Sequence, residues 1–199
     1  HKPQPKGMRE DCFYTLTLSA TPTGPYAWTK FGTLFKYDRA KEEWAEVKTT
    51  GEKLVGTACD ASGMCYDSKR DRLILTHNGF KGDLVAIDLK TATASKLAPK
   101  GMAVAEKGGL FTRESVYIPE QDMVVVTTVA KNKTGAPDPW PVYDCAKNAW
   151  VMIDIGGPNA SSCGAGLMYD PSANLLLMVD PSSYVYALHL DTKTAKAAE

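Results

Sequence analysis

Three segments of this chain, GMCYDSKRDRLILTH (63–77), ESVYIPEQDMVVVTT (114–128) and GLMYDPSANLLLMVD (166–180), align without gaps and bring Tyr66, Tyr117 and Tyr169 into register, 51 and 52 residues apart. Self-similarity at a fixed period constrains a fold more than any single motif, because each repeat must be one supersecondary unit that buries its apolar face against the next. Each segment reads as a short strand ending at Tyr, a polar turn, and an aliphatic strand: RLILT, MVVVTT or LLLMV. The turns DSKRD, PEQD and DPSAN carry the Asp, Asn, Ser and Pro that preset turn dihedrals or bond their own backbone. The aliphatic runs do not alternate, as expected of strands covered on both faces.

A second unit recurs between these: TLFKYDRAKEEWAEV (33–47), DLVAIDLKTATASKL (83–97), WPVYDCAKNAWVMI (140–153) and YVYALHLDTKTAKAA (184–198). Each again reads as strand, polar turn, strand. Tyr37, Asp38 and Trp44 recur at the same offsets as Tyr143, Asp144 and Trp150, whereas Ala94 and Ala197 stand where the Trp would be. The Asp is expected to cap the hairpin turn, with Tyr and Trp packing between neighbouring sheets.

Two hairpins per period of about 50 residues make a four-stranded antiparallel sheet, the blade of a β-propeller. The expected fold is all-β: one propeller region over 1–199, with blades at about 1–50, 51–100, 101–156 and 157–199, either complete or an arc of a larger ring. The first blade looks short at its beginning: CFYTLTLSA can be one strand and the 33–47 hairpin two more, but its first strand is not evident. Gly, Pro and β-branched residues interrupt every window that could hold a long amphipathic helix, and the best helical imitation, AKEEWAEV, aligns with AKNAWVMI as turn and strand. TPTGPYAWTKFG (21–32) and AKNKTGAPDPWP (130–141) are expected as exposed loops between second and third strands. Their aromatics, Tyr26, Trp28, Phe31 and Trp140, are the candidate binding residues.

Lys plus Arg equals Asp plus Glu at 23 each, so no long-range positive field draws nucleic acid or an anionic membrane surface. No apolar run reaches the roughly 18 residues of a membrane span. The five cysteines (Cys12, Cys59, Cys65, Cys145, Cys163) form no Cys-x-x-Cys pair; Cys59 with Cys65, or Cys145 with Cys163, could be disulfides, and buried thiols explain the same residues. Asn132-Lys133-Thr134 and Asn159-Ala160-Ser161 are glycosylation sequons in loop-like sequence. The start HKPQPKG reads as a processed or truncated beginning.

Through YDRAKEEW and YDCAKNAW the chain resembles the kelch repeat, and through YDSKRDRLIL the divergent kelch-type repeats of large bacterial secreted proteins, over about residues 12–198. It departs from that pattern where the usual Gly-Gly doublet is replaced by THNG, TTVA and VDPS. The resemblance implies a six- or seven-bladed ring, hence partner blades from the same protein or from another chain, and an extracytoplasmic location. It also brings in relatives that are copper-radical oxidases, whose site would need Tyr and His ligands.

Only His1, His77 and His189 occur, and none pairs with another at ligand spacing, so no metal site and no cofactor is expected. Nucleophile-elbow, zincin, Walker and dinucleotide motifs are absent. Asp67, Asp71, Asp122 and Asp170 could be imagined as acid/base pairs, yet they recur in phase at turns, which marks structural residues. The sequence thus points to a non-catalytic binding or assembly module for protein or glycan within a larger extracytoplasmic protein or complex. The alternative is an oxidoreductase related to the copper oxidases, with its active site outside these residues.

Overall fold

A computed structural model describes residues 16–56, 62–77, 84–101, 114–126, 140–153, 166–179, 185–190 and 196–197. Its strands follow the repeat. The first sheet is β1 (Thr17–Ser19), β2 (Tyr26–Trp28), β3 (Leu34–Asp38) and β4 (Glu43–Val47), hydrogen-bonded in chain order. The first blade is thus not short at its beginning: Thr17–Ser19, within CFYTLTLSA, is its first strand, and the strand the sequence did not show is the second, Tyr26–Trp28, inside the stretch expected as an exposed loop. Pro25 and Gly24, whose φ is +125°, turn the chain into it, and Ala27 pairs with both Leu18 and Phe35.

The second sheet holds β5 (Thr50–Gly51), β6 (Ser62–Asp67), β7 (Arg72–His77), β8 (Leu84–Asp88) and β9 (Thr93–Lys96), in the order β5-β9-β8-β7-β6. Its inner four strands are antiparallel; β5 lies parallel to β9 at the outer edge, so the chain leaving one blade first runs along the rim of the next. Lys100 makes the same parallel bridge to Ala149 one blade later. The third sheet is β10 (Ser115–Ile118), β11 (Met123–Val126), β12 (Trp140–Asp144), β13 (Ala149–Ile153) and β17 (Lys196–Ala197); the fourth is β14 (Gly166–Asp170), β15 (Leu175–Val179) and β16 (Val185–Leu188). The hairpin expected over 184–198 is thus not formed. β17 bonds to β13 of the third sheet, Val151 facing Ala197, and β16 is left at the edge of a three-stranded fourth sheet.

Six turns share one conformation. The residue before the outgoing strand, Glu42, Asp71, Ala92, Asp122, Asn148 or Asn174, has a φ between +49° and +55°, the left-handed region that Asn and Asp enter most readily. In five turns the Asp at the end of the incoming strand accepts backbone N–H groups, as Asp38 Oδ1 does from Ala40 (2.9 Å) and Asp88 Oδ1 from Thr91 (2.8 Å), with Asp67, Asp144 and Asp170 in the same role. The repeated Tyr closes the device from the other side: its hydroxyl bonds the side chain five residues on, in Tyr66–Asp71 (2.9 Å), Tyr117–Asp122 (2.8 Å), Tyr143–Asn148 (3.0 Å) and Tyr169–Asn174 (3.1 Å).

Trp44 and Trp150 sit directly across the hairpin from Tyr37 and Tyr143, with ring centroids 5.3 and 5.9 Å apart. Tyr and Trp are therefore first cross-strand partners within one sheet; of the two pairs, Tyr143–Trp150 also packs into a core between sheets. Ala94 takes the Trp place opposite Ile87 in the second blade.

The apolar core lies between successive sheets. One cluster joins the first and second (Trp28, Leu34, Leu73, Leu75, Ile87), another the second and third (Ile74, Leu84, Tyr117, Val124, Tyr143), a third the third and fourth (Ile118, Val125, Val142, Leu176, Met178). Innermost strands touch in chain order, β1 with β6, β6 with β10, β10 with β14, and no comparable contact among the described residues returns from β14 to β1. This is a four-bladed all-β propeller without helices among the described residues.

Candidate functional site

The strand directions put two kinds of connection on two rims. The turns after β3, β6, β8, β10, β12 and β14 lie on one rim, where side chains tie adjacent blades together. Arg70 donates two bonds to Asp122 (Nη1 to Oδ1 2.7 Å, Nη2 to Oδ2 2.8 Å) across the second and third blades, and also reaches the buried Asp67, whose other neighbour is Arg72 Nε at 2.8 Å. The Arg70 guanidinium holds the Asp122 carboxyl down at about 2. Tyr169 donates to Glu120 (2.8 Å) and Asn148 Nδ2 to the Leu97 carbonyl (2.8 Å), again between blades. Every Asp considered as an acid/base residue is spent here on turn or blade closure.

The opposite rim carries the connections that enter each inner strand and those joining second to third strands. Its described part is built on Trp28. That side chain is fully buried in β2, donates from Nε1 to the Val55 carbonyl (3.0 Å), and meets the His77 ring edge-on at 6.0 Å. Thr29, also buried, accepts N–H from Phe31 and Thr33 at 3.4 and 3.3 Å, so 29–33 closes as a tight turn with Lys30 and Phe31 at its tip. Gly56 fits because the Lys30 carbonyl occupies the place a Cβ would take, so the 54–56 segment runs closely against this turn. The result is two exposed apolar side chains, Phe31 (53% exposed) and Val55, over a buried and hydrogen-bonded base, with the Lys30 ammonium 5.2 Å from the Phe31 ring centre.

Deeper in this rim, Thr76 Oγ1 and Ser115 Oγ converge on Gly63, where a Cβ would stand 2.7 and 2.9 Å from them. Thr76 Oγ1 is buried without a protein partner. Glu114 beside them has its carboxyl pushed up by burial, and burial pushes the His77 imidazole down, partly offset by its bond to the Gly56 backbone.

Of the candidate binding aromatics Tyr26, Trp28 and Phe31, the structure brings Trp28 and Phe31 together in this turn and exposes only Phe31. Tyr26 and Trp28 are core residues, not loop residues: strand pairing turns both toward the second blade, where their area is worth more buried than wet. Trp140 heads β12 opposite Ile153 instead of ending a loop. Val55 was missed, its only sequence signal being an apolar residue in the Gly-flanked stretch GEKLVG. Cys65 and Cys145 are buried free thiols, with burial raising Cys145 to about 12. Cys12, Cys59, Cys163, His1 and both sequons lie outside the described residues. Among the described residues no three His, Cys, Asp or Glu gather as a metal site, and no helix is long and apolar enough to cross a membrane.

No family model matches the sequence, and no curated protein does. Among solved structures the chain is similar to one in a crystal structure of the mitotic checkpoint complex (TM-score 0.56, 11% identity over 90% of this chain and 49% of that one). It is also similar to Myxococcus xanthus glutaminyl cyclase (TM-score 0.55, 14% identity over 88% of this chain and 72% of that one). The chain spans about half the length of the first. At these identities the likeness is one of fold.

Proposed function

We propose that this chain is a non-catalytic protein-binding module of the kelch-like type, working within a larger extracytoplasmic protein or complex. The observation that carries the reading is the Phe31–Val55 pair, held out on a turn whose base, Trp28, Thr29 and Gly56, is buried and bonded. Exposed apolar side chains on a rigid support are how interface anchors are presented, because little entropy remains to be lost on binding. One similar structure comes from a protein complex and the other from an enzyme, so the fold alone does not choose between binding and catalysis. The Tyr37–Trp44 and Tyr143–Trp150 pairs support the kelch-like assignment, and the resemblance to secreted repeats supports the location.

The test is affinity capture from envelope extract of the source organism with the wild-type chain and with F31D/V55K, followed by calorimetry with the purified partner. A stoichiometric partner bound by the wild type and lost by the variant supports the reading. Binding that ignores the substitutions, no partner at all, or copper-dependent peroxide release from sugar alcohols by the full protein would overturn it.

A further inference from the structure

We draw no further inference here: the strongest candidate, the buried hydroxyl cluster of Thr76 and Ser115 between the second and third blades, stands against Gly63 too closely to admit even a Cβ and so shows no space that a ligand could enter.

Discussion

The second and fourth blades are written with nearly the same hairpin and buried to different degrees. In β7, Leu73, Ile74 and Leu75 are wholly buried, whereas in β15 only Leu176 and Met178 are, and Leu175, Leu177 and Val179 stay half-exposed. Turn chemistry is the same in both: Asp67 and Asp170 cap, and Tyr66 and Tyr169 close on residues of left-handed backbone. The hairpin is therefore a local property of the repeat, while its stabilisation depends on how many neighbours the blade has.

The sharpest way to break this comparison is truncation at equivalent positions. I74A removes a side chain wholly buried between the second and third sheets and should cost about 2–4 kcal/mol in denaturant unfolding. L177A, at a half-buried position of β15, should cost under about 1 kcal/mol. Equal losses would mean that the fourth blade's face is as covered as the second's.

Next in size is the link between blades at the turn rim. R70A leaves Asp122 without its bidentate partner and Asp67 with its turn backbone bonds and Arg72 as its remaining ion-pair partner. Charge-assisted bonds of this kind are worth about 1.5–3 kcal/mol; partial exposure of Arg70 places the loss toward the lower end. The Asp122 carboxyl is held at about 2, below its ordinary value of 3.8. Its contribution is thus present above pH 3.8 and lost as pH falls toward 2. Acid titration of stability should show this fall in the wild type and a smaller one in R70A.

The smallest effect compares two hydroxyls. Y117F deletes a bond to Asp122 beneath the Arg70 bridge and should cost about 1 kcal/mol. Y169F deletes bonds to Glu120 and Asn174 that lie in solvent, and should change the melting temperature barely at all. A larger loss for Y169F than for Y117F would show that the last blade depends on its rim bonds more than on its core.

Much of this architecture was legible in the residues. A phased Tyr, a capping Asp and an Asp or Asn five residues after the Tyr each act over a single turn, so the sequence predicts where hairpins form, and four sheets with no helix among the described residues follow. The candidate site was less legible. Phe31 was expected at an exposed loop and stands there, but Trp28 three residues earlier is buried, since exposure depends on which face of β2 meets the second blade.

By itself, then, the sequence determined the period, the turn chemistry and the all-β blade, because these rest on contacts within a few residues. Only the tertiary structure decided that β17 joins the third sheet and not β16, that Tyr26 and Trp28 turn inward, and that Met168 and Val185 stay exposed where their counterparts are covered. Those outcomes depend on pairings between segments about 25 to 50 residues apart, and an apolar residue carries the same hydrophobic driving force whether or not a neighbouring sheet is present to cover it.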